Sequence, residues 1–407
     1  MNFLYLICCL GVYVLASRMA LRLLAGFWRE LTVALLNLSG VYLFLFYFWP
    51  DTDQPTTKFL IYVSLVLFQF LMFRWFCEAA DWRHWVAFAA PLVVLICARF
   101  LPRQAYEMVW HALGKQFHGI PFFVGISYLT FRNSRLVIEV RNGLVKKPGF
   151  WEYLGFSFFL PTMSVGPINT YSNYRRGFDE RYEVPVGRAV LRILVGWIKF
   201  QFLSRILNQL NYSNLLLNGH WHSWRDLPFA MVFYYLFLYC NFSGFCDMAI
   251  GAAALMGIPV LENFDNPLAS RNIREFWNRW HMTLSFWMRD LVFAPLSKFL
   301  VRIMGPARVN GAIALAIIVV FVLIGTWHGV GWNFVIYGAV HALGVVANHY
   351  YTIFLKKTLG RERFAAYNSN RLIHAAAVVL TFCFCAASLI FFANSLSEVR
   401  NIFSILR

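Results

Sequence analysis

Apolar runs separated by short polar connections dominate the chain. They lie near 2–16, 32–49, 59–76, 85–101, 119–138, 150–168, 187–205, 227–257, 309–327, 331–355 and 372–394. Crossing the hydrocarbon core takes about 20 helical residues, so the shorter runs predict re-entrant segments. Lipid cannot satisfy backbone polar groups, and the alternating strands of a membrane barrel are missing from the sequence. The pattern predicts an all-α, polytopic integral membrane protein, with about 11 transmembrane helices plus interfacial and re-entrant helices in a single domain, 1–407.

Residues 262–290 do not fit this pattern of spans. Asn272, followed three residues later by Glu275, resembles a capping box and predicts that a helix begins there. A basic, tryptophan-rich amphipathic helix normally lies in the plane of the membrane interface. We therefore predict an interfacial helix, with His281 on its apolar side. Its apolar stripe comprises Ile273, Phe276, Trp277, Trp280, Leu284, Trp287 and Met288.

The composition supports a membrane location. Apolar residues make up 60% of the chain and charged residues 14%, whereas soluble proteins have about 45–50% and about 25%. The net charge of +17 would suggest nucleic acid in a soluble protein. In a membrane protein it reflects Lys- and Arg-rich cytoplasmic connections, which we assign to 132–149 and 356–371. We therefore expect contact with membrane lipids and no nucleic acid.

The segment Gly325–Asn333 is the first candidate for chemistry. It joins two strongly apolar runs, so His328 is predicted at or near membrane depth, where ionisable residues are costly and often functional. A buried neutral imidazole is suited to accepting a proton from a hydroxyl nucleophile. The alternative is a histidine that is only hydrogen-bonded inside a bundle. Trp327 and Trp332 are predicted to wall a cavity. Gly325, Gly329 and Gly331 would allow helices or a ligand to approach closely.

Two further polar residues lie in apolar surroundings. His281 is either a second active-site imidazole or a histidine that merely tolerates the interface. Asp247 lies within an apolar run and needs a partner. We expect an Arg or His from the 271–289 segment, in a structural role. His220 and His222 are predicted to be solvated. The Cys and His spacing does not suggest a metal site, and no nucleotide-binding or serine-hydrolase fingerprint stands out.

Several motifs together resemble the membrane-bound O-acyltransferase (MBOAT) family. The segment around Trp327-His328-Gly329 resembles the one that carries the family's near-invariant histidine. The phrase Phe276–Trp287 is similar to that of the DltB-like branch, which moves D-alanine onto teichoic acids. The resemblance rests on motifs in order along 125–333: Gly125–Arg132, Gly166–Ile168, Ser243–Gly251, Glu262–Pro267, Arg274–His281, Ser285–Asp290, Trp327–Gly329 and Trp332–Asn333.

The resemblance implies a bacterial cytoplasmic-membrane enzyme with no bound cofactor and no metal. The acyl donor, D-alanyl in this branch, would be a thioester on the phosphopantetheine arm of a small cytosolic carrier protein. A small accessory membrane subunit and a downstream transferase are further partners to expect. His328 and His281 would be catalytic, at a tunnel where the donor meets the acceptor hydroxyl. The tunnel candidates are Trp327, Trp332, Asn333, Asp247 and Trp280.

The basic region 271–308 is a candidate docking surface for an acidic carrier. Its seven Lys and Arg residues, against Asp290 and Glu275, leave a charge of +5. Lys298 and Arg302 are the docking candidates. Three alternative functions remain open: an alginate-like polysaccharide O-acetyltransferase, a transporter or flippase with intramembrane His and Asp residues, and a non-catalytic scaffold of the same fold.

Overall fold

The structure is a computed structural model and describes residues 3–47, 54–100, 108, 125–180, 182–219 and 223–406. Its longer helices follow the apolar runs, because a helix satisfies its own backbone hydrogen bonds. The helices are α1 Phe3–Leu23, α2 Gly26–Val41, α3 Pro55–Phe76, α4 His84–Phe100, α5 Ile126–Arg141, α6 Phe150–Ser157, α7 Tyr171–Asp179, α8 Val186–Trp197, α9 Ser204–Asn208, α10 Asp226–Met256, α11 Ile273–Arg279, α12 Met282–Met288, α13 Ala294–Met304, α14 Val309–His328, α15 Trp332–Ser369, α16 Arg371–Ser388, α17 Ile390–Ala393 and α18 Leu396–Ile405.

Five helical stretches within the described ranges are long and apolar enough to cross a membrane. They are Gly26–Tyr47, Pro55–Phe76, Asp226–Met256, Pro306–His328 and Arg371–Ala393. The all-helical membrane class is confirmed, but the predicted count of about 11 spans is not. Some apolar runs form helices that are too short, such as α4 with 17 residues. The stretch after Lys356, predicted as a connection, is helical as far as Ser369, with a kink at Gly360.

The described chain divides into two compact units. Unit 1 comprises Met1–Gly196 with Phe245–Leu261, and unit 2 comprises Trp197–Gly244 with Glu262–Arg407. The boundary falls within α10, so this one helix contributes residues to both units. The single domain 1–407 stays a prediction.

Unit 1 buries polar groups that the sequence pattern placed elsewhere. Arg132 was predicted in a cytoplasmic connection, but it is almost fully buried within α5. Its guanidinium donates hydrogen bonds to the carbonyls of Phe156 (2.8 Å) and Thr162 (2.9 Å). The connection that follows α5 is therefore shorter than predicted and begins at Asn142. These hydrogen bonds from Arg132 attach the end of α6 and the turn after it to α5.

In unit 2, α14 and α15 pack backbone to backbone. A Cβ atom added at Gly325 would lie 2.2 Å from the carbonyl oxygen of Phe334 and 3.2 Å from Cα of Gly338. A Cβ at Gly338 would lie 2.3 Å from the carbonyl oxygen of Phe321. Glycines allow this distance because they have no side chain. The close approach predicted at Gly325 is confirmed, and it lies one helical turn before His328.

Candidate active site

His281 lies at a break between two helices. The prediction of one continuous helix across this segment is wrong, because α11 ends at Arg279 and α12 begins at Met282. The interfacial position of the segment stays a prediction. Asn272 does cap α11, because its side chain accepts a hydrogen bond from the backbone N–H of Glu275. His281 has φ 44° and ψ 50°, in the left-handed region, which non-glycine residues seldom adopt. Such backbone conformations concentrate at functional sites.

The loop that begins at Glu262 holds this break in place. The backbone N–H of Asp265 donates to the carbonyl of Arg279 (3.0 Å), and that of Met282 donates to the carbonyl of Asn263 (2.9 Å). Phe264 and Trp280 form an isolated antiparallel bridge between these two bonds. His281 therefore adopts its conformation within a backbone frame made by a second segment of the chain.

The side chain of Asn263 determines which nitrogen of His281 carries the proton. Asn263 Oδ1 lies 3.2 Å from the backbone nitrogen of Thr283, 2.9 Å from Thr283 Oγ1 and 3.1 Å from His281 Nδ1. A backbone N–H can only donate, so the atom facing it is the amide oxygen and not the amide nitrogen. An amide oxygen only accepts. His281 therefore donates from Nδ1, and in the neutral ring Nε2 carries a lone pair.

The surroundings of His281 favour the neutral ring. The side chain is buried, and Phe242 lies edge-to-face with it, with the ring centroids 4.7 Å apart. Burial lowers the pKa of His281 below the ordinary histidine range, and positive charge on nearby His328 lowers it further. Nε2 has no hydrogen-bond partner within the part of the chain that the structure describes. Nε2 of His281 is thus a buried hydrogen-bond acceptor.

His328 is the last residue of α14 and shares a neighbour with His281. The Trp327 ring lies 4.5 Å from the His328 ring and 5.9 Å from the His281 ring, centroid to centroid. Phe392 packs against His328 at 4.9 Å. Both predicted catalytic histidines therefore line one aromatic region of unit 2. The negative end of the α14 dipole favours a positive charge at His328.

The tryptophans differ from the sequence-based expectations. The apolar stripe of the predicted interfacial helix is buried in protein at Trp277, Trp280 and Trp287. The stripe belongs to two helices enclosed by their neighbours, and Trp280 stacks on Phe276 at 5.4 Å. Trp332, predicted as a cavity wall, is 74% exposed at the start of α15. Its role as a cavity wall stays a prediction.

Two other tunnel candidates make structural contacts. Asn333 is buried and donates from its amide to the carbonyl of Phe391 (3.1 Å). Asp247 accepts hydrogen bonds from the Arg192 guanidinium, with Nε 3.1 Å from Oδ1. Both members of this ion pair belong to unit 1, so the partner is an arginine of α8 where one from the 271–289 segment was expected. Assignment of Asn333 and Asp247 to a tunnel stays a prediction.

A third histidine, His341, lies near the site and is not singled out by the sequence pattern. Trp277 Nε1 donates to His341 Nδ1 (3.3 Å). A neutral His341 therefore carries its proton on Nε2, which lies 2.9 Å from Ser388 Oγ. Both ring nitrogens are occupied, which makes His341 a structural tie between α11, α15 and α16. The available signal was the recurrence of Asn333, Tyr337 and His341 at every fourth residue of an apolar helix.

The candidate docking residues Lys298 and Arg302 lie on one exposed row of α13. They are spaced i and i+4, beside Phe299 and Ile303, which are 59% and 65% exposed. Other cations of the basic region are already paired: Arg271 and Arg279 with Glu275, and Arg289 with Asp290. The α13 surface thus combines unpaired positive charge, as far as the described residues show, with exposed apolar side chains.

His220 and His222 lie outside the described residues. Within the described ranges, no group of three or more His, Cys, Asp or Glu side chains is placed to hold a metal ion.

Comparison with known proteins identifies the family. Residues 23–390 match the membrane-bound O-acyltransferase family. The chain belongs to the MBOAT family. MBOAT proteins are membrane enzymes that transfer acyl groups to acceptors, so the chain is an O-acyltransferase.

Similar proteins include teichoic acid D-alanyltransferases and alginate O-acetylases. A teichoic acid D-alanyltransferase from Streptococcus thermophilus is 35% identical over 294 residues, covering 68% of this chain and 69% of the relative. The same enzyme from Bacillus subtilis is 33% identical over 276 residues, 66% and 67% of the two chains. A probable alginate O-acetylase from Azotobacter vinelandii is 30% identical over 223 residues, covering 54% and 42%. The resemblance to the D-alanyl-transferring branch is thereby confirmed.

Proposed function

We propose that this MBOAT protein transfers a D-alanyl group from a carrier-protein thioester to a hydroxyl of a teichoic-acid-type polymer, in the bacterial cytoplasmic membrane. The main support is the coverage of about two thirds of the D-alanyltransferase relatives at 33–35% identity. The paired imidazoles of His281 and His328 around Trp327 supply acid–base chemistry at one place. The chain itself holds no cofactor in this mechanism, because the phosphopantetheine arm belongs to the carrier.

His328 acts as the general base. The acceptor oxygen attacks the thioester carbonyl carbon while His328 takes the hydroxyl proton, which gives a tetrahedral intermediate and an imidazolium. The negative end of α14 stabilises that imidazolium. The C–S bond then breaks, the ester forms, and the proton passes from His328 to the departing sulfur. The products are the acylated polymer and the free thiol of the carrier.

His281 orients the acceptor. In the tautomer that Asn263 imposes, Nε2 accepts a hydrogen bond and does not donate one. It is therefore suited to a second donor group of a polyol acceptor, next to the hydroxyl that reacts. Stabilising an oxyanion would require an N–H at Nε2, which this tautomer does not have.

The donor assay tests the proposed function. The full chain in liposomes is given a teichoic-acid-type acceptor and carrier protein loaded with either D-alanine or acetate as the thioester. We expect D-alanyl ester on the acceptor and little acetyl ester, read by mass spectrometry of the polymer. Acetyl transfer alone would instead support the alginate-like alternative, which the Azotobacter relative keeps open. Vesicles with unloaded carrier are the control.

Carrier docking on α13 gives a further prediction. Lys298→Glu together with Arg302→Glu is expected to weaken carrier binding roughly 10-fold at low salt, because complementary charge steers an acidic carrier to this surface. The difference should shrink as ionic strength rises. Surface plasmon resonance with immobilised protein measures it. Arg361→Glu, an exposed cation on α15, is the matched control. Unchanged binding in the double variant would exclude this docking surface.

A further inference from the structure

We propose that Asn263 is a positioning residue that sets the proton of His281 on Nδ1 and thereby keeps Nε2 free to accept a hydrogen bond from the substrate. This inference rests on the proposed function for its catalytic consequence, although the tautomer itself is a property of the folded chain. It also assigns a role to the motif Glu262–Pro267, which contains Asn263: the motif positions His281.

The amide oxygen of Asn263, and not its nitrogen, faces His281. Three donors converge on Oδ1, and one of them, the backbone N–H of Thr283, cannot reverse its role. If the amide were turned over, its N–H₂ group would face that N–H at 3.2 Å with no hydrogen bond. Asn263 is about 1% exposed, so the unmet donor would be costly in the interior. Only one orientation of the amide is therefore stable.

The position of Asn263 is fixed by backbone hydrogen bonds. The main chain of Asn263 accepts from Met282 at 2.9 Å, while its side chain holds His281 and Thr283. The same residue thus bonds the backbone on one side of His281 and the imidazole itself. The bridge between Phe264 and Trp280 lies next to Asn263 and further fixes the backbone from which its side chain reaches His281.

The charge around His281 also bears on its protonation. Phe242 and Trp327 pack against the His281 ring and Asn263 accepts its hydrogen bond, and all three side chains are uncharged. His328 is the titratable group that acts on it electrostatically. A carboxylate in place of the Asn263 amide would therefore add a negative charge at this contact, and it would stabilise the imidazolium.

Asn263→Asp is the central experiment, because aspartate keeps an oxygen that can accept the three hydrogen bonds, while it replaces the amide N–H₂ group with a second oxygen and adds a negative charge. The pKa of His281 should rise, so Nε2 becomes protonated over a wider range and acyl transfer falls at the acidic end. We expect the acid limb of the kcat/KM profile to move upward by about one pH unit. Thr283→Val removes one hydroxyl donor but leaves the backbone N–H, and its profile should match that of the unmodified protein. An unmoved profile in Asn263→Asp would overturn the proposal.

A double-mutant cycle separates positioning from general support of the fold. Asn263→Leu removes the acceptor and should lower kcat/KM roughly 10²-fold, at an unchanged amount of folded protein in detergent. In the His281→Ala background the same change should have almost no further effect on transfer, since Asn263 acts through His281. Equal losses in both backgrounds would show that Asn263 supports only the structure.

A spectroscopic measurement does not depend on activity. In protein labelled with ¹⁵N-histidine, the His281 signals are assigned by comparison with His281→Gln. We expect a protonated Nδ1 and an unprotonated Nε2 at neutral pH, and two protonated nitrogens at a higher pH in Asn263→Asp than in the unmodified protein. A proton on Nε2 in the unmodified protein would refute the inference. If no donor is transferred by any form of the protein, the proposed function fails while this readout still decides the tautomer.

Discussion

His328→Ala is expected to reduce acyl transfer by about 10³-fold or more, because it removes the group that takes the hydroxyl proton. The site should otherwise remain intact. The His328 ring contacts Phe392 and Trp327 by aromatic packing, and α14 ends at this residue, so the truncation leaves the helix itself in place. The measurement is single-turnover transfer from the loaded carrier to the acceptor in liposomes, at saturating concentrations of both substrates.

The matched control is His374→Ala, which changes an exposed histidine of α16. It should insert, fold and transfer like the unmodified protein. Elution volume in detergent and the helical circular dichroism signal check folding of both variants. Full transfer activity in His328→Ala would remove His328 from the mechanism. Vectorial movement of a solute, without any ester product in the unmodified protein, would support the transporter alternative.

Gly325→Ala is expected to have the second large effect, on stability and activity together. The new methyl group would meet the Phe334 carbonyl oxygen at 2.2 Å, and backbone cannot rotate away as a side chain can. The helices must separate, at a cost of about 1–3 kcal/mol. Because Gly325 lies one turn before His328, the separation also moves the catalytic ring. We expect a lower melting temperature and a fall in kcat that the loss of folded protein does not explain.

Gly311→Ala provides the control on the same helix. Its nearest contact would be Met304 Cε at 3.6 Å, an ordinary van der Waals distance. Alanine is the better helix former by up to about 1 kcal/mol, so the variant should be as stable as the unmodified protein or slightly more so. Thermal unfolding followed by tryptophan fluorescence compares the two variants. Equal melting temperatures for both would contradict the close helix packing.

Much of the fold was predictable because long apolar runs in the sequence indicate membrane helices. The assignment of helices and the choice of His328 depend on local features, an apolar context and a few flanking glycines. The count of spans was harder to predict, because α4 has only 17 residues. The continuous helical stretch from α8 to α9 is long enough to span, but it carries Arg188, Arg192, Lys199 and Arg205. An apolar run predicts that a helix is shielded from water, but it does not show whether lipid or protein covers that helix.

The errors at the site share one physical origin. The stripe over 273–288 has helical spacing, yet the chain breaks at His281 because a distant loop supplies backbone partners there. The burial of Trp277 and the exposure of Trp332 likewise depend on tertiary neighbours. His341 was missed because its two hydrogen-bond partners lie 64 and 47 residues away in the chain. Spacing along one segment cannot report such contacts.

The helix before His281, α11, has only seven residues. Isolated helices shorter than about 12 residues are marginal in water, so α11 would not persist without its surroundings. The ordered conformation of α11 therefore depends on longer helices, through contacts such as the hydrogen bond from Trp277 to His341 on α15. Residues that do not contact the substrate can consequently control the chemistry, and we expect substitutions at such positions of α15 to affect acyl transfer as substitutions beside the imidazoles do.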